Sequence, residues 1–279
     1  MSIADKTVLV TGATDGVGKL VARALAEAGA HVLLHGRNAA KGEALLAELR
    51  AATDNERLEF VRADLAALAE VRDLAGQVLD RTDRLDVLIN NAGVGSKSAG
   101  TSGRELSRDG HELRFAVNYL APFLLTHLLL PTIRRSAPAR IVNVSSAGQH
   151  AIDFDDVMLI HGYDGVRAYC QSKLAQILFT VELAERLAGS GVTVTCLHPA
   201  TYMNTTMVRT AGHTPISKVE DGADAVLNLA VSAALDGQTG LYFNRRQIAR
   251  ADPQAHDPAA RARLWQLSLD LCGLADLAE

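Results

Sequence analysis

Cysteine is scarce in this chain: Cys170, Cys196 and Cys272 are the only three in 279 residues. Far apart and odd in number, they suggest neither a disulfide framework nor a CxxC metal site, and they point to a reducing, cytoplasmic compartment. An excess of charge of one sign is also missing. Lys+Arg 28 against Asp+Glu 32 leaves a formal net charge of -4 with no block of like charge. Neither nucleic acid nor a polybasic membrane contact is therefore an expected partner. Long hydrophobic runs are absent as well. The longest apolar stretch, "YLAPFLLTHLLLP" from Tyr119 to Pro131, is interrupted by Pro122 and His127. It falls short of the roughly 20 residues that a membrane span needs and reads as a buried helix. The opening "MSIADKTVLV" enters a strand-like run too early for the charged, apolar and cleavage regions of a signal peptide. There is no Gly/Ser linker, low-complexity tract or solenoid-period repeat.

What is present is a regular alternation. Short β-rich runs ("KTVLVT", "HVLLHG", "RLEFVRAD", "LDVLINNAG", "ARIVNVSS", "VTVTCLHPA") are separated by Ala/Leu-rich helical patterns. The helices are expected at Val17 to Ala28, Ala39 to Ala51, Ala67 to Asp80, Gly110 to Ile133 and Gly165 to Ala188. Such alternation implies βαβ units. Because several runs are continuously apolar, their strands should be buried on both faces of a parallel sheet. The fold class is α/β, a single-domain, Rossmann-type doubly wound sheet of about seven strands flanked by helices. Within that one domain, residues 1–150 and residues 151–279 are expected to form two functionally distinct halves. The segment after Pro199, "TYMNTTMVRTAGHTPISK", is a candidate lid. A helix near Val219 to Leu235, a strand "GLYFN" and a helix from Pro258 to Leu271 follow it.

"VTGATDGVGKL" joins the first strand to the first helix, with Gly12, Gly16 and Gly18 spaced GxxxGxG. Glycines there allow a tight turn and let backbone N–H groups at a helix N-terminus approach phosphate. A nucleotide-hydrolysing P-loop would need GxxxxGK followed by Ser or Thr; here Lys19 is followed by Leu20. At the end of the second strand, a carboxylate would normally hold an adenosine ribose and select NAD. This chain has Gly36 and Arg37 instead, which suits a 2′-phosphate, so NADP is favoured over NAD. Asp15 in the turn argues the other way.

With "TGATDGVG", "NNAG" at Asn90 to Gly93, "VNYLAPFLLT", "RIVNVSS" and "YCQSK" in this order, the whole chain resembles the short-chain dehydrogenase/reductase family. Within it, the chain is most similar to the retinol dehydrogenase and WW-domain oxidoreductase branch. The resemblance implies catalytic roles for Asn118, Ser146, Tyr169 and Lys173, with Ser145 as the neighbour that Ser146 must be told from. It implies cofactor contacts from Gly12, Thr14, Asp15, Gly16, Val17 and Gly18 in the turn, and from Arg37, Asp64 and Leu65. Asn91, Ala92 and Gly93, Tyr169, Lys173, Pro199 and Thr201 complete that set, while Asn90 shapes the wall beside the cofactor. Asp64 corresponds to the acid that contacts the adenine ring.

The chemistry needs these residue types. Hydride transfer to a carbonyl leaves an alkoxide, and a tyrosine hydroxyl can protonate it if its pKa is lowered from about 10. Lys173, one helical turn beyond Tyr169, can supply the positive charge that favours phenolate and can hold ribose hydroxyls. Ser146 would position the carbonyl oxygen, and Asn118 would fix a water that relays protons from Lys173. A YxxxK pair by itself is ordinary helix patterning; with the glycine turn and Ser146 it becomes an active-site pattern. The expected function is NADP(H)-dependent carbonyl reduction or alcohol oxidation on an apolar small molecule.

Some features depart from the pattern. In "HPATYMNTT", Ala200 stands where the family has Gly, and Asn204 where a Thr or Ser often contacts the cofactor. Asp153, Asp155 and Asp156 read as a solvated loop rather than metal ligands, His31 and His35 as a strand-face pair rather than a metal site, and His198 as structural. The Leu-rich stretches Tyr119 to Leu130 and Leu174 to Leu187 suggest a homodimer paired through two helices. Two other functions compete: a dinucleotide-sensing regulator without turnover, which should lack the Tyr or Lys, and a sugar-nucleotide epimerase or dehydratase, which more often has a GxxGxxG turn.

Overall fold

The computed structural model describes residues 2–97 and 103–276. Strands β1 (Thr7–Val10), β2 (His31–Gly36) and β3 (Leu58–Arg62) alternate with helices α1 (Gly16–Glu27), α2 (Ala39–Thr53) and α3 (Leu68–Leu79). Then come β4 (Val87–Asn90), a short α4 (Leu113–Phe115), a π-helical turn (Ala116–Leu120) and α5 (Ala121–Arg135). β5 (Ala139–Val144), α6 (Gly165–Arg186) and β6 (Val192–His198) follow. The chain ends with α7 (Thr206–Thr210), α8 (Val219–Val231), β7 (Leu241–Asn244), β8 (Gln247–Ile248) and α9 (Pro258–Cys272).

All strands share one sheet in the order β3-β2-β1-β4-β5-β6-β7-β8. The first seven strands run parallel; β8 turns back antiparallel on β7. The sheet thus has one strand more than sequence analysis expects. Two exposed residues, Gln247 and Ile248, form the extra strand, too short to show any periodicity.

The continuous apolar strands feed two cores, because successive side chains point to opposite faces. Val8, Val10, Val32, Leu34, Val87, Ile89, Val142 and Leu197 pack on the side of α1, α2 and α8. Leu9, Leu33, Leu88, Ile141, Val194 and Cys196 pack on the side of α3, α5, α6 and α9. α1 shows the matching helical stripe, with Val17, Val21, Ala22, Leu25 and Ala26 buried. At about 1.5–3 kcal/mol per large apolar side chain, these two layers are the main favourable term in folding.

The helical run Leu113–Arg135 is long and apolar enough to cross a membrane by length and composition, yet 89% of its apolar window is buried inside the fold. It is a core helix. The surplus leucine that suggested a homodimer is absorbed in the same way. Leu120, Leu124, Leu125, Leu129 and Leu130 are at most 2% exposed, as are Leu174, Leu178, Leu183 and Leu187. α9 supplies part of the cover: Trp265 packs on Phe123, His127 and Phe179, and the Tyr119 and Ser268 hydroxyls hydrogen-bond at 2.7 Å. Arg261 pairs with Glu182 and Glu185 on α6. A single chain therefore accounts for the leucine, and the motive for expecting that pairing is gone.

Candidate active site

Strand order reverses between β1 and β4, so the loops leaving their carboxyl ends splay apart and open a crevice, as in other doubly wound sheets. The glycine turn leaves β1 there and the Asn91-Ala92-Gly93 loop leaves β4 beside it. Thr11 ties them: its hydroxyl accepts from Asn91 N (2.9 Å) and Ala92 N (3.0 Å). Asn91 Nδ2 donates to the Thr11 carbonyl (2.8 Å). Gly12 has φ +67°, and a Cβ on it would meet Ala92 Cα at 2.9 Å. A Cβ on Gly18 would lie 2.2 Å from the Gly12 carbonyl oxygen. Gly16 has φ +52°, and Asp15 caps α1 by accepting from Gly16 N (2.7 Å). Val17 is buried under the turn, and Thr14 lies where a Cβ on Gly36 would strike it at 2.7 Å. The turn is a cradle closed to side chains at the start of a helix, which fits a dinucleotide pyrophosphate.

His35 was missed by sequence reasoning except as half of a rejected metal pair. Gly12 N donates to its Nδ1 (3.2 Å) while its Nε2 bonds the Ala63 carbonyl (3.1 Å). Burial drives its pKa down to about 4, against a hydrogen bond to Ala63 and the charge of Asp64. The ring is neutral at pH 7 and braces the turn. His31 has other partners, Thr7 and Glu59. Only the neighbouring glycines hinted at a role for His35.

At the far end of β2 and β3, Arg37 is exposed and its carbonyl accepts from Arg62 Nε (3.3 Å). Arg62 thus lies beside Arg37 where β2 and β3 end. Asp64 is half-buried, accepts from Ala66 N (3.1 Å) and faces Arg108 at 3.6 Å; Leu65 beside it is buried. Asn90 points into the core, donating to Asn143 Oδ1 (2.9 Å) and Thr126 Oγ1 (3.2 Å). Asn91 is the residue that shapes the wall.

Asn118 sits in the π-helical turn. Pro122, four residues on, has no N–H to donate to the Asn118 carbonyl, and the Ala121 N–H closes the wider ring to Ala116 instead. The side chain of Asn118 is fully engaged: Oδ1 accepts from Val94 N (2.8 Å), and Nδ2 donates to the Val94 carbonyl (3.1 Å) and Ser172 Oγ (2.9 Å). It staples the loop after β4 to the helices. The side chain is thus taken up, and the backbone carbonyl is the group that Pro122 leaves without its usual i+4 donor.

β5 delivers the two serines. Ser145 is buried and its hydroxyl donates to the Lys173 carbonyl (2.7 Å), so its role is to join β5 to α6. Ser146 is half-exposed; its hydroxyl accepts from Gly148 N (3.0 Å) and interacts with the Tyr169 hydroxyl. The two serines thus have different surroundings, Ser145 inward and Ser146 toward Tyr169. α6 starts at the Asp164 cap, which accepts from Arg167 N (2.7 Å). It presents Tyr169 and Lys173 on one face, with Lys173 Nζ 5.9 Å from the centre of the Tyr169 ring. Nζ donates to the Val144 carbonyl (2.8 Å) and Gln176 Oε1 (2.9 Å). Burial lowers the lysine pKa to about 7. Burial also pushes the Tyr169 phenol up, which the Ser146 hydrogen bond offsets in part. In the chain alone, desolvation outweighs the downward shift that sequence analysis expects from Lys173.

The β6 loop closes the crevice. His198, Pro199 and Ala200 are buried, Thr201 is exposed, and His198 Nε2 bonds Thr201 Oγ1 (3.0 Å). His198 is structural, its pKa lowered to about 4 by burial and Arg245. Ala200 does not have positive φ; Tyr202 takes the left-handed conformation (φ 44°) instead. Replacing Gly by Ala at 200 therefore strains nothing. Asn204 accepts from Arg209 (2.6 Å) within the segment after Pro199. Its neighbour Thr205 reaches the glycine turn, 3.2 Å from where a Cβ on Gly16 would stand. In the loop before α6, Asp153 pairs with Arg167, Asp155 with Arg263, and Asp156 accepts from Ile160 and His161 N. Among the described residues no group of three His, Cys, Asp or Glu could hold a metal ion.

A glycine cradle, an Asn-Ala-Gly wall and a Ser-Tyr-Lys set now stand at the carboxyl ends of the central strands, and the family model of short chain dehydrogenases matches residues 6–215. The chain belongs to that family. Short chain dehydrogenases are oxidoreductases acting on small molecules with a nicotinamide cofactor, and this chain is similar to several over nearly all its length. Retinol dehydrogenase 13 of Mus musculus is 40% identical over 291 residues, covering 98% of this chain and 86% of the relative. Retinol dehydrogenase 11 of Homo sapiens is 40% identical over 284 residues, covering 96% and 86%. Among solved structures, an uncharacterized protein from Mycobacterium paratuberculosis superposes with a TM-score of 0.81 at 32% identity, covering 99% of this chain and 97% of that one. The Pseudomonas aeruginosa RhlG/NADP active-site complex superposes at 0.70 with 29% identity, covering 87% and 95%.

Proposed function

We propose that this short chain dehydrogenase is an NADP(H)-dependent enzyme that interconverts an apolar carbonyl compound and its alcohol, with Tyr169 as general acid and base. The observation that carries the reading is the Lys173 ammonium nitrogen. It is buried 5.9 Å from the Tyr169 ring centre and held by two neutral acceptors, with no carboxylate partner among the described residues. A cation in that position favours the phenolate. Ser146 hydrogen-bonds the substrate oxygen and aims it at the Tyr169 hydroxyl. On reduction, Tyr169 gives its proton to the alkoxide oxygen; on oxidation it takes the proton from the alcohol. The nicotinamide, when bound, supplies or accepts the hydride. Gly12, Gly16 and Gly18 would hold its pyrophosphate, and Lys173 its ribose.

Arg37 with Arg62, and the absence of an acid at positions 36 and 37, support NADP over NAD. The apolar substrate is supported by exposed Ile160 and Val166 before and on α6 and by exposed Tyr202, Met207 and Ile216 in the lid. A cytoplasmic setting belongs to the same proposal, supported by three free cysteines among the described residues; cell fractionation tests it. Initial rates with NADPH and NADH across aldehydes, ketones and quinones test the activity. The expected result is reduction with preference for NADPH, abolished by Tyr169→Phe. No turnover anywhere in the panel, with Tyr169→Phe indistinguishable from the parent, would instead favour the dinucleotide-sensing regulator.

A further inference from the structure

We propose that Gln176 is a positioning residue: its side-chain oxygen holds the Lys173 ammonium and sets the pH range over which that lysine stays charged. The inference rests on the catalytic reading of Tyr169 and Lys173. Gln176 lies three residues beyond Lys173 on α6 and is 0% exposed. Its Oε1 accepts from Nζ at 2.9 Å, and the Val144 carbonyl of β5 accepts from the same nitrogen at 2.8 Å. Two of the three ammonium donors are therefore fixed, and the third remains for a ribose or Tyr169 oxygen.

The amide is oriented by this contact. Turned over, it would press two N–H groups against an ammonium. As it stands, Nε2 is buried with no hydrogen-bond partner among the described residues. A side chain needed only for volume would be better served by leucine, which leaves no polar atom stranded. The one gain that offsets the stranded N–H₂ is the acceptor given to Lys173.

A neutral acceptor has a different effect from a charged one. Val144 and Gln176 supply dipoles that keep the buried ammonium hydrogen-bonded without cancelling its charge at Tyr169. The titratable group that faces Nζ is Tyr169 on the same helix, whose own neighbour is Cys170. No Asp, Glu or Arg forms an ion pair or a hydrogen bond with Nζ among the described residues. A carboxylate at 176 would hold the proton on Lys173 and neutralise its field at the phenol. An apolar residue would release the proton sooner.

The variants Gln176→Glu and Gln176→Leu therefore act in opposite directions. The titration of Lys173 is followed in the cofactor-free protein by ¹³C NMR of the lysine ε-carbons, assigned with Lys173→Met. Glu should move it up by about one to two pH units and Leu down by about one. In kcat/KM profiles for alcohol oxidation, Glu should shift both limbs to alkaline pH, and Leu should bring the alkaline decline to lower pH with little change in KM. Folding is checked by circular dichroism. If the Glu variant does not fold, Gln176→Asn, one methylene too short to reach Nζ, replaces it and should follow Leu. Folded variants whose Lys173 titrates as in the parent overturn the inference. Full activity in Tyr169→Phe would instead sink the catalytic reading, while the NMR titration would still decide whether Gln176 holds the lysine.

Discussion

Gly18→Ala adds one methyl group to the floor of the glycine turn. Gly18 does not have positive φ, so the backbone conformation itself tolerates alanine. The difficulty is space: the new Cβ would stand 2.2 Å from the Gly12 carbonyl oxygen, 2.9 Å from the Gly12 carbonyl carbon and 2.5 Å from Asn91 Nδ2. Two of these atoms are backbone and the third is tied to the Thr11 carbonyl at 2.8 Å, so none can swing away as a surface side chain would. Relief requires the turn to move by about 1 Å, at a cost of about 1–3 kcal/mol in overpacking. The roughly 0.5–1 kcal/mol gained by replacing glycine in a helix offsets part of that. The same displacement takes backbone N–H groups out of line with a bound pyrophosphate. Losing one hydrogen bond to a charged group, about 1.5–3 kcal/mol, weakens dinucleotide binding about 10- to 100-fold. Gly76→Ala is the control, since it is a helical position in α3 where an added Cβ meets nothing within 4 Å. It should stabilise by up to about 1 kcal/mol and leave binding unchanged. Urea denaturation measures the first quantity and calorimetric titration with NADP⁺ the second. A Gly18→Ala protein that binds NADP⁺ like the parent would refute the reasoning.

Three further predictions concern the residues around that turn. His35→Leu strands the Gly12 N–H and the Ala63 carbonyl; it should cost about 1–3 kcal/mol in urea denaturation and weaken NADP⁺ binding, and unchanged binding would show that the ring does not brace the turn. Ser146→Ala should lower kcat by about 100-fold or more with a folded protein, whereas Ser145→Ala should mainly lower stability by about 1 kcal/mol; the reverse pattern would exchange their roles. Lys173 has a folded-state pKa near 7 against its ordinary 10.5, so between these values the unfolded chain binds more protons than the folded one. The cofactor-free protein should therefore gain stability as pH rises through that window, with a slope from this group of up to about 1.4 kcal/mol per pH unit. Lys173→Met should remove that increment, and identical stability-pH slopes in parent and variant would contradict it.

Much of the architecture was legible because local pattern and tertiary environment agree. Runs such as "TVLV" and "VLIN" are continuously apolar since both faces of each strand are covered, and that covering is what a parallel sheet between two helical layers requires. The glycine turn and the Tyr169 to Lys173 spacing were legible for a similar reason: a tight turn and one helical step are short-range geometry. Contacts across the chain were not. His35 meets Gly12 from 23 residues away, Asn118 meets Val94 from 24, and Ser145 meets Lys173 from 28. No local periodicity records which of two adjacent serines turns inward, that the Asn118 side chain is engaged by Val94, or that Thr205 rather than Asn204 reaches the turn. The leucine that suggested a second copy is covered within this chain, in part by α9, which arrives more than 70 residues after the end of α6. The sequence by itself determined the order of elements and the kind of chemistry, because propensity and motif spacing act over a few residues. Only the tertiary structure decided which neighbour takes each role and which buried group loses its charge, because both depend on what distant segments bring to the same point in space.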